Sequence, residues 1–155
     1  MKITEILTPE MVIPQMRGGS KAEVLSELAQ CLCQAHPEVV FDRLLGVLNE
    51  RERLGSTAIG DGIAIPHGKL PALKRLYGVF ARLETPINFE AIDEQPVDLI
   101  FLLLAPEQAG ADHLKALARI SRLLREVQAI EKLRSSKDAS ALYAVLTEAA
   151  TSHAA

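Results

Sequence analysis

The stretch VDLIFLLLAP, residues 97–106, limits the fold of this chain more than any other, because Leu99 to Ala105 is apolar without a break. A strand with one wet face alternates apolar and polar side chains, whereas a strand apolar on both faces needs cover on both. The run is far shorter than the ~20 residues of a membrane-spanning helix. It therefore predicts a central strand in a sheet that carries a layer on each side. YGVFARLE (77–84), GIAIP (62–66) and MVIP (11–14) read as further strands, and TPINFEAIDEQP (85–96) as an irregular connection rich in turn residues.

Helical periodicity fills the flanks. Ser20 and Glu23 form a capping-box pattern, followed by Leu25, Leu28, Ala29 and Leu32 at helical spacing. Phe41, Leu44, Leu45 and Leu48 predict a second helix that runs to Gly55. In ADHLKALARISRLL (111–124), Leu114, Leu117, Ser121 and Leu124 make one stripe with Ile120 beside it. IEKLRS (130–135) predicts a short helix, and Leu142, Val145, Leu146 and Ala149 a last one. Helices, then strands, then helices indicate a single α/β or α+β domain over 1–150, with a disordered tail at 151–155.

Composition narrows the function classes. A chain of 155 residues that is 48% hydrophobic and 24% charged can bury a core without disulfides or metal. Its only cysteines, Cys31 and Cys33, stand two apart on a helix and do not face each other. A net charge of −3, 4% aromatics and no tryptophan argue against nucleic acid as a partner. Glu5 and Pro9 interrupt the N-terminus where a signal peptide needs an apolar core, so the expectation is a cytoplasmic chain with no membrane insertion.

Nucleotide motifs fail, and no cofactor is expected. Five residues separate Gly62 from Gly68, and Lys69 is followed by Leu70, so no Walker loop forms; Gly60 and Gly62 begin a dinucleotide fingerprint whose third position is Ile65. There is no G-x-S-x-G elbow, and Ser56 has no base beside it in sequence.

The histidines are more informative. His36 and His153 read as structural or incidental. His67 stands between Pro66 and Gly68 at the end of a short apolar run. Proline and glycine fix the local frame, which suits a turn residue and equally a displayed nucleophile or ligand. His113 falls in the first turn of a predicted helix. It reads as an exposed helix-start residue or as a neutral imidazole able to donate to an anion there. No H-x-x-H, H-E-x-x-H or C-x-x-C accompanies the pair, so a metal site has little support. Arg51 and Arg53 end the second helix, where arginines usually pair with the local dipole or water. Arg51 lies sixteen positions before His67 across a glycine-rich turn, and its planar fork suits phosphate. Lys69, Lys74 and Arg75 make the stretch after His67 basic.

RERLGSTAIGDGIAIPHGK (51–69) resembles the active-site segment of IIA domains of the bacterial phosphoenolpyruvate-dependent phosphotransferase system, fructose/mannitol type. LETPINFEAIDEQPVDLIFLLLAP (83–106) resembles the strand-loop-strand of its nitrogen-related branch, IIA-Ntr. The likeness covers about residues 5–148. It implies a mixed β-sheet flanked by helices and a phosphoryl acceptor at His67. It also implies a supporting histidine at His113, a phosphate-stabilising arginine at Arg51, and an HPr- or NPr-type phosphocarrier as donor. The implied output is regulation of target proteins, such as a potassium transporter or a sensor kinase, with no further segment expected after Ala155. The alternatives are a sugar-specific IIA that passes phosphate to a separate IIB, and a metal-dependent hydrolase using His67 and His113.

Overall fold

A computed structural model describes residues 2–154, with side chains as far as Glu148. Of the tail expected to be disordered at 151–155, Ala155 lies outside the described residues and 151–154 outside those with described side chains.

The strands are β1 (Val12–Met16), β2 (Ala58–Gly60), β3 (Ile63–Ala64), β4 (His67–Leu70), β5 (Tyr77–Ile87) and β6 (Val97–Pro106). The α-helices are α1 (Lys21–Ala35), α2 (Phe41–Arg53), α3 (Ala111–Leu123), α4 (Val127–Ser135) and α5 (Ala139–Ala154). The sheet order is β1-β5-β6-β3-β2, with β4 also paired to β6. β6 runs antiparallel to β5 on one side and parallel to β3 and β4 on the other, so the sheet is mixed. Leu99 to Ala105 are fully buried, as the double cover requires. Each such leucine contributes about 2 kcal/mol of transfer free energy.

The cover comes from two helical groups. α1 and α2 pack on each other and reach β5 and β4, while α3 and α4 pack on α5, which lies against β1. Helices thus flank the sheet on both sides. Ser20 Oγ accepts from Glu23 N–H at 3.2 Å and starts α1. The Glu23 carboxylate accepts from Gly19 N–H at 3.0 Å, one residue earlier than a capping box would have it. Val24, Leu25, Leu28, Ala29 and Leu32 form the buried face of α1.

Three expectations need correction. GIAIP is not one strand. Only Ile63 and Ala64 pair, the chain breaks at Ile65–Pro66, and β4 resumes at His67. The connection at 85–96 is shorter than expected, because β5 continues to Ile87 through a register irregularity after Arg82. The stripe assigned to α3 is rotated at its start: Leu114 is 70% exposed and His113, Ala116, Ile120 and Leu123 form the helix's buried face, while Leu124 just after it is buried as expected. The polar His113 occupies the place on the buried face that an apolar residue would normally hold.

Among the described residues, no helix is long and apolar enough to cross a membrane.

Candidate functional site

His67 is fixed by backbone on both sides. Pro66 cannot donate a hydrogen bond, but its carbonyl accepts from Leu103 N–H at 2.9 Å, and Ile65 N–H donates to Thr57 O at 3.0 Å. The imidazole then turns back on its own chain, with Nδ1 2.8 Å from Ile65 O. A carbonyl only accepts, so Nδ1 carries the hydrogen, and in the neutral ring Nε2 keeps its lone pair. Gly68 is required beside it: a Cβ there would lie 2.5 Å from Val47 Cγ1 on α2.

The surroundings favour that neutral ring. Burial pushes the His67 pKa below its ordinary 6.5; the Ile65 carbonyl pulls it back, the Arg51 charge lowers it further, and Glu52 opposes.

His113 meets His67 ring to ring, centroids 5.7 Å apart and planes at 71°, an edge-to-face arrangement. It is buried at 7% exposure rather than standing out at the helix start. Burial, then the charges of His67 and Lys69, lower its pKa as well. Its Nε2 is buried with no hydrogen-bond partner among the described residues. Buried polar atoms are nearly always paired, so a ring nitrogen left without a partner against the His67 ring calls for an explanation.

Arg51, in the last turn of α2, donates from Nη1 to Gly55 O at 2.9 Å. It shares with His67 a cleft of about 250 Å3 whose walls include Ser56, Thr57, Leu117 and Ser121. The structure therefore places all three sequence-selected residues at one locus: Arg51 and His67 in the cleft, His113 against the His67 ring. Arg53 instead pairs with Glu50 at the surface. Of the basic residues after His67, Lys69 acts on His113. Lys74 and Arg75 line a separate cavity with Glu5, Gln108 and Asp112.

Sequence reasoning missed Glu52. Its carboxylate, 6% exposed, accepts from Thr57 N–H at 3.0 Å and from the Thr57 hydroxyl, and pairs with Lys21 Nζ at 2.8 Å. It locks the turn that forms one wall of the cleft. Ser56 adds a second tie, donating to Phe89 O at 2.7 Å. Glu52 sits in the charge run ERER (50–53), which reads as a solvated helix end, and nothing local in the sequence distinguishes it.

The arrangement offers an imidazole nitrogen and a guanidinium in one small cleft, with a second, buried imidazole against the first, which suits transfer of a phosphoryl group. No group of three or more His, Cys, Asp or Glu residues suited to a metal is found among the described residues.

Comparison with known proteins points the same way. Residues 5–149 match the family described as phosphoenolpyruvate-dependent sugar phosphotransferase system, EIIA 2. The chain is 54% identical over 149 residues to a nitrogen regulatory protein of Bradyrhizobium diazoefficiens, covering 94% of this chain and 95% of that one. It is 40% identical to the nitrogen regulatory protein of Escherichia coli, covering 96% and 91%. Its fold is similar to the crystal structure of nitrogen regulatory protein IIA-Ntr from Neisseria meningitidis, with a TM-score of 0.87 at 35% identity, covering 94% and 99%.

Proposed function

The chain belongs to the EIIA 2 family of the phosphoenolpyruvate-dependent sugar phosphotransferase system, and from that premise we propose that His67 accepts a phosphoryl group from an HPr- or NPr-type phosphocarrier and that the phosphorylation state regulates other proteins. The observation that carries the reading is the bond from Nδ1 to Ile65 O, which leaves Nε2 as the nucleophile in a cleft shared with Arg51.

In the proposed step, Nε2 attacks the phosphorus of the donor's phosphohistidine. The new Nε2–P bond forms as the donor's N–P bond breaks, and the bonding pair returns to the donor imidazole. His67 needs no proton transfer, because its hydrogen already sits on Nδ1 and stays with the Ile65 carbonyl. Little covalent work falls to the protein, so rate comes from positioning and from charge placed where the phosphoryl oxygens pass. Arg51 supplies a two-pronged cation. His113 supplies Nε2–H, and one such donor can be worth ~10²-fold.

Residues 1–150 act as one domain in this reading, with 151–155 as its tail, and the chain works in the cytoplasm where the carrier resides. Nitrogen regulatory proteins among its relatives support a regulatory output. Candidate targets include a potassium transporter or a sensor kinase. A phosphoryl group adds about −1.5 to −2 charges, so a partner covering the His67 rim would meet a desolvated dianion and discriminate between the two states.

The test is incubation with phosphoenolpyruvate, the first enzyme of the system and its carrier, with phosphate mapped by mass spectrometry under alkaline conditions. Phosphate on His67 is expected; phosphate elsewhere, or none, overturns the assignment. Rapid onward transfer to a sugar-specific IIB would replace regulation with uptake. A stoichiometric metal in the purified protein would favour the hydrolase.

A further inference from the structure

Two basic and two acidic side chains line the cavity formed by the start of the chain, the connection before β5 and the start of α3. They are Lys74 and Arg75, Glu5 and Asp112. The cavity measures about 570 Å3, a size that suits a small molecule. Its walls include Ile6 and Leu76, both buried, so it has an apolar floor beneath a charged rim. Elsewhere in the fold opposite charges meet, Glu52 with Lys21 and Asp98 with Arg134. The four around this cavity share one space, yet among the described residues none of them makes an ion pair or a side-chain hydrogen bond.

Local structure holds these groups in place. Leu73 and Leu76 are buried on either side of Lys74 and Arg75, which turns the two cations outward. The Arg75 guanidinium lies over the Tyr77 ring, 5.0 Å from its centroid, and that ring rests on His36 with centroids 4.1 Å apart. A guanidinium held over a ring keeps its N–H edge for an anion. The acidic pair comes from other elements, Glu5 from the short 3-10 turn Ile3–Glu5 and Asp112 from the first turn of α3. A simple anion here would find Glu5 and Asp112 beside it, and a simple cation would meet Lys74 and Arg75. A molecule that carries both charges finds a partner for each.

We propose that this cavity is a binding site for a small zwitterion of the α-amino-acid class. Its carboxylate sits on Arg75 and Lys74, its ammonium on Asp112 and Glu5, and its side chain on the floor of Ile6 and Leu76. The site is separate from the His67 cleft, and the proposal does not rest on His67 being the phosphoryl acceptor, so the two readings fail separately.

The test titrates the full chain with the protein-forming α-amino acids, one at a time, and follows backbone amide shifts by NMR. At least one is expected to bind in the millimolar range or tighter and to move the amides of Lys74, Arg75 and Asp112. The tightest binder is then compared with its decarboxylated amine and its N-acetyl form, each of which lacks one charge. Both analogues should bind ~10-fold more weakly or worse, as loss of a hydrogen bond to a charged group does. Arg75→Ala and Asp112→Asn should each weaken the amino acid by ~10-fold as well. Both side chains are exposed, so the variants should keep the wild-type spectrum away from the cavity. No binding by any amino acid in that range overturns the proposal. So do analogues that bind as tightly as the parent, or an unchanged affinity in either folded variant. Inorganic phosphate that moves the same amides, and binds more tightly to Asp112→Asn, would make the cavity a plain anion site and overturn it too.

Discussion

Glu52 holds Thr57 twice, by its backbone N–H at 3.0 Å and by its hydroxyl. Four residues and the end of a helix separate them, so this one carboxylate fixes the path by which the chain leaves α2 and forms the wall of the His67 cleft. Lys21, from the first turn of α1, neutralises it at 2.8 Å.

Glu52→Ala should therefore cost about 2–3 kcal/mol, because it leaves two donors on Thr57 unpaired and Lys21 without its nearest partner. Urea denaturation measures this. Glu52→Gln keeps one acceptor and should lose less. Since the Glu52 charge raises the His67 pKa, either variant should lower that pKa further, readable by NMR titration of the imidazole. An unmoved His67 titration would separate Glu52 from the site's electrostatics.

His67→Ala should abolish phosphate incorporation and leave the fold intact. His113→Phe should behave differently. It keeps the ring but removes a buried nitrogen that has no partner among the described residues, so thermal stability should hold or rise, while transfer slows by up to ~10²-fold. Residual phosphate should map to His67. A fall in Tm of many degrees would mean that Nε2 is satisfied in solution, and phosphate on His113 would reverse the two roles.

Arg51→Lys should slow transfer by about 10-fold, equivalent to ~1.4 kcal/mol of barrier. Lysine keeps the charge but gives up the fork that can hold Gly55 O and a phosphoryl oxygen together. Single-turnover kinetics with the phosphorylated carrier measure the effect, and a wild-type rate would place Arg51 outside the transition state.

The pH dependence follows from the lowered histidine pKa values. In the proposed step His67 attacks only when neutral, so kcat/KM should be flat at neutral pH and fall on the acid side with a midpoint below 6.5. Stability should follow a related course. The unfolded imidazoles take up protons near 6.5, while the folded His67 and His113 do so only at lower pH. Stability present above 6.5 is therefore lost progressively as pH falls through the folded values. A rate midpoint above 6.5 would contradict the buried, neutral ring.

Much of this was legible in the residues because the signals were local. The unbroken Leu99–Ala105 run announced a strand covered on both faces, and Ser20 with Glu23 marked the start of α1. His67 stood out through Pro66 and Gly68, whose backbone properties act within one residue. What escaped depends on distant partners. β2 and β4 are short and exist through pairing with strands the chain reaches elsewhere. The face of α3 was misjudged because leucines were counted as inward, whereas His113 takes the inward position against His67 and Leu114 turns out. Glu52 was hidden in a charge run, since burial of a carboxylate is decided by Lys21 and Thr57 from other parts of the fold.

β3 and β4 lie end to end along β6 in one unbroken register: Ile63 faces Leu99, Ala64 faces Ile100, His67 faces Leu103 and Leu70 faces Pro106. The two residues between them, Ile65 and Pro66, do not shift the count. The His67 imidazole is thus indexed along a ruler, and its address depends on chain length more than on side-chain identity. Because strand side chains alternate sides, adding or removing one residue between Ile63 and His67 would carry the imidazole to the opposite face, away from Arg51 and His113. Substitutions at Ile65 should be graded in effect, but a single-residue deletion there should silence the protein while leaving β5 and β6 paired.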